Sequence, residues 1–245
     1  MLRGLYTAAS GMLVQMAKTD VLSNNLSNVS TAGFQRQAPH VYAFPDILIS
    51  RLHNGQSTPI GRIGTGALVN GDRSSFAPGA LQNTGNPFDA ALVGPGFFGI
   101  ETPEGPRYTR DGRFTVNASG WLVTLDGNRV RGERGPILIN GNDVTIDGQG
   151  QIYVDGQFVD KLLIVEFNDR DGLIRRGANL YEATEEAGLP FRYTDTSVVQ
   201  GAVEMANVNV VREMVNLISA QRAYEANAKV VQAYDETLGK AVNDI

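Results

Sequence analysis

The longest regular pattern in the chain is NVNVVREMVNLISAQRAYEANAKVVQAYDETL, residues 207–238. Nine positions within it follow steps of four and three, and seven of the nine are apolar. They are Val210, Met214, Leu217, Gln221, Tyr224, Ala228, Val231, Asp235 and Leu238. A four–three repeat places apolar side chains on one face of an α-helix, so the sequence predicts a long C-terminal helix. Asn207 or Asn209 is suited to cap its start, because a short amide accepts a hydrogen bond from a free backbone N–H.

Two interpretations of this helix remain open. Val211, Val215 and Ile218 add a second apolar stripe to its first half. The helix either packs on its own domain or forms a coiled-coil seam, with the N-terminal helix or with other subunits.

The N-terminal segment also has a helical pattern. Leu2, Leu5, Ala9, Met12 and Met16 are three or four residues apart, which predicts a helix of about 25 residues and roughly 37 Å. A break is expected near Ser30–Gly33. The first thirty residues carry only three charged side chains, Arg3, Lys18 and Asp20. A polar but uncharged face is unusual on a solvated helix, so we expect this helix to contact protein on more than one side.

The middle of the chain has the pattern of β-structure. Short branched or aromatic runs are separated by Asp-Gly and Asn-Gly pairs, which favour tight turns. The runs are Phe114–Val116, Trp121–Leu125, Ile137–Ile139, Val144–Ile146, Ile152–Val154 and Leu162–Phe167. Residues 53–80 are expected to be a looped connector with at most one strand. The predicted class is therefore α+β, with a central hairpin-rich, barrel- or sandwich-like β domain.

Composition excludes several kinds of function. The 245 residues carry a net charge of −5, two histidines and no cysteine. An acidic chain is a poor partner for nucleic acid, and thiolate metal sites, disulfides and cysteine nucleophiles are impossible. We therefore expect no catalytic residues, no cofactor, no metal and no small-molecule substrate.

Two motifs resemble ligand-binding sequences but lack other residues that such sites need. Gly94–Gly99 matches the G-x-G-x-x-G letters, but the prolines at 103 and 106 forbid the helix that a dinucleotide needs. Residues 168–172, NDRDG, hint at a calcium loop, yet Phe167 and Ala178 would occupy its first and last ligand positions. A hairpin turn is expected at Asp171-Gly172 instead.

No targeting signal is evident in the sequence. Polar residues and glycines interrupt the first twenty positions, so a cleaved signal peptide is not expected. No run approaches 18 apolar residues, so no membrane insertion is expected. These observations alone would predict a cytoplasmic protein.

Three motifs, in this order along the chain, carry a family resemblance. Ser10-Gly11-Met12 with SNNLSNVSTAGF, residues 23–34, resembles the N-terminal signature of bacterial flagellar rod and hook proteins. GPGFF at 94–98 and YTRDGRFTVNASGWL at 108–122 resemble the central β region of the rod members, and residues 207–238 resemble their C-terminal helix. The start MLRGLYTAASGM and FPDIL at 44–48 are similar to the proximal and distal rod type of Gram-positive bacteria. Pro95 departs from the family pattern, which usually has a small or polar residue there.

The resemblance implies a function and a location. Rod proteins are structural subunits that self-assemble into a helical tube, which transmits torque from motor to hook. Their partners are copies of themselves, other rod and hook proteins and the flagellar export apparatus. Through that apparatus they reach the basal body, outside the cytoplasmic membrane, without a cleaved signal peptide. The alternative from another class is a secreted β-domain module that binds cell-wall glycan, with helical anchoring ends.

The resemblance also implies a division of the chain and an interface. Residues 1–35 would be an N-terminal assembly helix, 36–80 a connector of loops and short strands, 81–190 the central β domain, and 191–245 a return segment with the C-terminal assembly helix. The terminal helices would pair as a coiled-coil-like domain. The expected assembly interface comprises Leu2, Leu5, Ala9, Met12, Met16, Leu22, Asn24, Asn25, Leu26, Asn28, Val210, Met214, Leu217, Gln221, Tyr224, Ala228, Val231 and Leu238.

Overall fold

Two long helices bracket a β-rich centre. The computed structural model describes residues 2–53, 56–141, 143–193 and 195–243. Helix α1 spans Leu2–Ser27 and helix α2 spans Val210–Asn243. The two terminal helices and the β-rich region between them confirm the α+β class.

The chain divides into two units, and each draws on separate parts of the sequence. The terminal unit comprises Met1–Ser27, Gln37–Arg73 and Asn209–Ile245. The central unit comprises Asn28–Arg36 and Ser74–Val208. The chain therefore passes between the units four times.

The terminal unit contains four strands besides the helices. They are β1 (Gln37–Ala43), β2 (Ile47–His53), β3 (Gln56–Ile63) and β4 (Ala67–Ser74). Strand β1 pairs with β4, and β2 pairs with β3 as an antiparallel hairpin. Two eight-residue strands thus lie in the segment where one strand at most was expected.

The central unit contains the remaining strands. They are β5 (Leu81–Asn83), β6 (Ala90–Val93), β7 (Phe97–Thr102), β8 (Gly105–Thr109), β9 (Phe114–Val116), β10 (Leu122–Thr124), β11 (Arg129–Val130), β12 (Val144–Ile146), β13 (Gln151–Val154), β14 (Gln157–Lys161), β15 (Ile164–Glu166), β16 (Leu173–Arg175), β17 (Leu180–Ala183), β18 (Phe191–Arg192), β19 (Ser197–Gln200) and β20 (Ala202–Glu204). Nine of them form one sheet along the path β16-β17-β8-β7-β11-β10-β9, with β15 joining β7 to β18. Strands β12, β13 and β14 form a three-stranded sheet, and β19 with β6 and β20 with β5 form two pairs. Along the described strands the large sheet is open.

Strand β7 divides the central unit into two apolar cores. Neighbouring residues of a strand point to opposite faces, so Phe97 and Phe98 enter different cores. Both side chains are completely buried. The ring of Phe98 meets that of Phe114 edge-on at 5.2 Å, and the ring of Phe97 lies 6.0 Å from that of Tyr181. The glycine-rich motif therefore opens a buried strand, and no helix follows it.

Some of the strands and turns predicted for the β region are present in the structure, and others are not. The runs at 114–116 and 144–146 are strands with those bounds. Asp155 and Gly156 form a hairpin turn with φ angles of 51° and 78°. The run at 137–139 is not a strand and makes only isolated bridges, such as Trp121 with Leu138.

The hairpin turn expected at Asp171-Gly172 was wrong. These residues belong to one turn of 3₁₀ helix, Arg170–Gly172. The carboxylate of Asp169 caps that turn by accepting a hydrogen bond from the backbone N–H of Asp171. A short side chain that bonds to a backbone amide two residues ahead stabilises such a turn, and this local bond outweighs the Asp-Gly signal.

Candidate assembly surface

Helices α1 and α2 of the terminal unit contact each other through small residues. A Cβ atom placed on Gly4 would overlap the phenol ring of Tyr234, and one on Gly11 would lie 3.0 Å from Nδ2 of Asn227. The contact positions rise along α1 while they fall along α2, so the helices run antiparallel. Glycine permits this close approach because it has no side chain.

The residues buried on each helix extend this contact face. On α1, the most buried side chains are Ala8, Val14, Val21, Leu22 and Asn25. On α2, Glu213 is 1% exposed and Ala220 is 5% exposed. Large apolar side chains are few among them, which is unusual for the buried face of a helix pair.

The large apolar side chains of α1 lie on its other side. Tyr6, Leu13 and Met16 are 69%, 64% and 51% exposed. At 100° per residue, they point away from the face that carries Gly4 and Gly11. Helix α1 therefore presents an apolar surface that the chain itself leaves in solvent.

Helix α2 has a corresponding surface on its first turns. Val211, Met214, Val215 and Ile218 are 71%, 46%, 56% and 50% exposed, and we call these four residues the outer patch. The helical repeat places the patch opposite the buried face of α2. Further along the same side, the sequence changes to Arg222, Glu225 and Lys229. The outer patch is thus a short apolar area that ends in charged residues.

The β2–β3 hairpin exposes further apolar side chains in the same unit. Leu48, Leu52 and Ile60 are 60%, 79% and 62% exposed. Exposed apolar side chains are typical of contact sites where they form a contiguous patch.

The predicted interface residues are spread over different environments. Leu22 and Asn25 are buried; Met16, Asn24, Met214, Gln221 and Tyr224 are exposed; Leu5, Ala9, Met12, Leu26, Asn28, Val210, Leu217, Ala228, Val231 and Leu238 are half-buried. The side chain of Leu2 lies outside the described part of the chain. Sequence reasoning missed Gly4, Gly11, Asn227 and Tyr234, where the two helices meet. The two residues on each helix are seven positions apart, and this spacing could have identified them. It was missed because these residues are small or polar and do not form an apolar repeat.

The asparagines near the ends of the helices form bonds within the chain. Asn25 accepts a hydrogen bond from the backbone N–H of Gln37 at 2.9 Å and donates to its carbonyl oxygen at 2.7 Å. Asn25 thereby ties α1 to the first residue of β1. Asn28 belongs to the turn after α1, where its carbonyl oxygen accepts from the backbone N–H of Thr31 at 3.0 Å.

Asn209, not Asn207, caps helix α2. Its side-chain oxygen accepts from the backbone N–H of Arg212 at 3.0 Å, and its carbonyl oxygen accepts from that of Glu213 at 2.9 Å. Asn207 binds other partners in the central unit.

The terminal unit contains a mainly apolar cavity. It has a volume of about 650 Å³ and is lined by residues that include Tyr6, Ile47, Ile63, Val230 and Tyr234. Its walls are mainly apolar and hold no acid–base pair. Within the described ranges, no three Asp, Glu or His residues are close enough together to hold a metal ion. Neither described helix combines the length and hydrophobicity needed to cross a bilayer.

The most deeply buried ion pair joins Arg110 and Glu204 of the central unit. The two groups are 3.4 Å apart, and their side chains are 3% and 2% exposed. Burial lowers the pKa of Arg110, because removal from water disfavours the charged guanidinium, and Glu204 opposes this shift. Nη1 of Arg110 also donates to the carbonyl oxygen of Gly94 at 2.9 Å. These contacts join Arg110 to strand β20 and to the turn at Gly94.

Models of flagellar rod and hook domains match three parts of the chain. Residues 5–35 match the flagella basal body rod protein family, 91–154 match the D1 domain of the flagellar hook protein FlgE/F/G, and 199–244 match the C-terminal region of the flagellar basal body rod FlgEFG protein. The first and third matches include most of α1 and α2, and the second begins at β6.

Relatives from several bacteria match over nearly the full length. The flagellar basal-body rod protein FlgG of Borreliella burgdorferi is 36% identical over 99% of this chain and 98% of its own length. The flagellar hook-basal body complex protein FlhO of Bacillus subtilis is 32% identical over 100% of this chain and 99% of its own. FlgG of Bacillus subtilis is 32% identical over 99% of both chains. The motifs at both ends and in the middle are thereby explained: the chain belongs to the flagellar basal-body rod protein family.

Proposed function

We propose that this protein is a structural subunit of the flagellar basal-body rod. It self-assembles through its terminal helices into a helical tube that transmits torque from motor to hook. Membership of the rod family supports the structural role. The observation that carries the self-assembly is the outer patch of α2, together with the exposed apolar side of α1.

Burial of these surfaces supplies the driving force for assembly. Transfer of one Val, Leu, Ile or Met side chain from water to a protein interior contributes about 1.5–3 kcal/mol. Among the described residues, seven exposed side chains of these four types lie on the two helices: Leu13 and Met16 on α1, and the outer patch with Val230 on α2. Because the apolar side of each helix faces away from its contact with the other, both sides remain available to neighbouring subunits. Repeated contacts that do not close into a ring produce a filament.

The helix pair is coiled-coil-like in this proposal. Gly4 and Gly11 are seven residues apart, as are Asn227 and Tyr234, and a seven-residue repeat is the period of coiled-coil packing. Ala220 and Glu213 continue the repeat along α2, and both are buried. Small residues at this seam hold the helices close and turn their larger side chains outward.

The proposed role as a rod subunit also implies a cellular location. The subunit would lie in the flagellar basal body, outside the cytoplasmic membrane, after passage through the flagellar export apparatus without a cleaved signal peptide. Its neighbours would be copies of itself and other rod and hook proteins. The finer assignment, to the proximal or distal rod type of Gram-positive bacteria, also stays a prediction. The glycan-binding module gains no support from the described residues or from the relatives.

A single charge in the outer patch tests the proposal. Val215→Asp places a carboxylate where a neighbouring subunit would bury an apolar side chain. Gln232→Asp is the matched control, because it adds the same charge to the exposed side of α2 beside Lys229. We expect Val215→Asp to abolish swimming and rods in isolated basal bodies, with an unchanged far-ultraviolet circular dichroism spectrum of the purified monomer. Gln232→Asp should retain both. Normal rods with Val215→Asp would contradict the proposal.

A further inference from the structure

Asn207 lies in the central unit, three residues before α2 begins, and forms an unusual set of hydrogen bonds. Its side-chain oxygen accepts from the backbone N–H of Arg36 at 2.6 Å. Its amide nitrogen lies 2.8 Å from Oε1 of Gln35. The same nitrogen lies 2.6 Å and 2.8 Å from the carbonyl oxygens of Ser75 and Ala77. One side chain therefore joins three segments that are far apart in sequence.

The chain leaves or enters the central unit at four places, and these three segments lie at three of them. Arg36 is the last residue before the chain passes to the terminal unit, and Ser74 is the first residue after its return. Val208, next to Asn207, precedes the final passage. Asn207 therefore binds together three of the four places where the central unit continues into the terminal unit.

A buried polar group beside Asn207 holds the same segments from within the central unit. Glu204 accepts from the backbone N–H of Gly79 at 2.9 Å and from Nε2 of Gln35 at 3.5 Å. Its carbonyl oxygen accepts from the backbone N–H of Gly33 at 2.7 Å. Arg110 neutralises its charge. Asn207 thus extends a buried polar network in which each member limits the movement of the others.

We propose that Asn207 is a clamp that makes the segments leaving the central unit bear mechanical load together. This proposal rests on the torque-transmitting role proposed above. A load that reaches the central unit through the chain arrives at residues 28, 36, 74 and 208, and Asn207 links the segments at the last three. Segments that are hydrogen-bonded to one another yield together, whereas separate segments bend or peel away one at a time. An amide is suited to this task because it accepts one bond and donates others, which an aspartate of the same shape does not do.

Two variants of Asn207 distinguish the bond that its side chain accepts from the bonds that it donates. Asn207→Ala removes every bond of the side chain. Asn207→Asp retains an acceptor for Arg36 and places negative charge beside the carbonyl oxygens of Ser75 and Ala77. Asn209→Ala, two residues away, is the matched control, because that side chain only caps α2.

Amide hydrogen exchange of the full-length monomer measures how strongly Asn207 protects the segments that it joins. In Asn207→Ala we expect the amide of Arg36 to exchange about tenfold faster, the effect of losing one hydrogen bond. In Asn207→Asp that amide should remain protected while protease cleavage around residues 75–78 increases. The amide of Gly99, within the sheet, should not change in either variant. Unchanged exchange at Arg36, or an equal increase at Gly99, would overturn the clamp.

Swimming under load tests the mechanical role separately from assembly. We expect Asn207→Ala cells to form rods in normal number and to swim at normal speed in dilute medium. As viscosity rises, their speed should fall below that of wild type and of Asn209→Ala. Identical speeds at every viscosity would overturn the load-bearing role. Loss of rods in Asn207→Ala would overturn it as well, since the residue would then be needed for assembly. Failure of the rod proposal itself would appear instead as normal rods with Val215→Asp.

Discussion

The two units of this protein use their large apolar side chains in opposite ways. In the central unit, Phe97, Phe98 and Phe114 are at most 1% exposed and lie on the faces of one sheet. In the terminal unit, the helices meet through Gly4 and Gly11, while Leu13 and Val215 remain more than half exposed. The central unit therefore buries its large aromatic side chains, whereas the terminal unit leaves large apolar side chains exposed.

One chain thus combines a central unit that has a buried core with a terminal unit that has exposed apolar surface. A buried core stabilises the folded state of the monomer, but surface that stays exposed stabilises only the assembled state. The single tryptophan, Trp121, lies in the central unit, and the two long helices lie in the terminal unit. Tryptophan fluorescence and the helical signal at 222 nm therefore report on the two units separately.

The largest expected effect comes from removing a buried aromatic ring from a core of the central unit. Phe98→Ala removes a completely buried ring that contacts Phe114, and it should lower the free energy of unfolding by about 3–5 kcal/mol. Phe158→Ala, at a ring that is 45% exposed, should cost about 1 kcal/mol or less. Guanidinium unfolding followed by Trp121 fluorescence measures both. Equal losses for the two variants would show that the central core is not the main source of stability.

A smaller effect is expected where the helices of the terminal unit meet. Gly11→Leu introduces a side chain against Asn227, and we expect it to weaken the helix contact by about 1–3 kcal/mol. Gly239→Leu makes the same substitution in α2, where nothing lies within 4 Å of the new Cβ. It should instead stabilise the helix by up to about 1 kcal/mol, the difference in helix propensity. Thermal melting at 222 nm distinguishes the two, and a stabilising Gly11→Leu would refute the close contact.

The smallest expected effect concerns the start of α2. Asn209→Ala removes the cap of the helix and should cost about 1 kcal/mol in the 222 nm transition, with no change in the Trp121 transition. Ser219→Ala, within the same helix, should change stability by less than about 0.5 kcal/mol. A shift of the Trp121 midpoint in Asn209→Ala would mean that the two units do not unfold independently.

The sequence predicted the elements of the fold better than their contacts. Helical periodicity identified α1 and α2, and short branched runs identified β9 and β12 with their bounds. One of the two strands at residues 53–80 was missed, because β3 is exposed along its whole length and lacks the alternating apolar pattern of a half-buried strand. Periodicity of large apolar residues did not identify the positions where the helices meet, since that contact includes glycine, alanine and asparagine.

Asn207 shows a second limit of prediction from sequence. Helix-capping rules select Asn207 and Asn209 equally, because both are short amides before the first helical turn. Only the folded chain brings Gln35, Arg36, Ser75 and Ala77 to one of them. A role that depends on partners more than a hundred positions away leaves no local pattern.

The assembly of the terminal unit from both ends of the chain has a consequence for timing. Gly4 and its contact Tyr234 emerge from the ribosome tens of seconds apart, at the usual rate of roughly 5–20 residues per second. During that interval α1 exists without α2, and the whole central unit is synthesised between them. A chain that has not yet reached residue 211 thus carries only one of the two apolar helix surfaces. If the subunit assembles as proposed above, the order of synthesis delays polymerisation until α2 has been made.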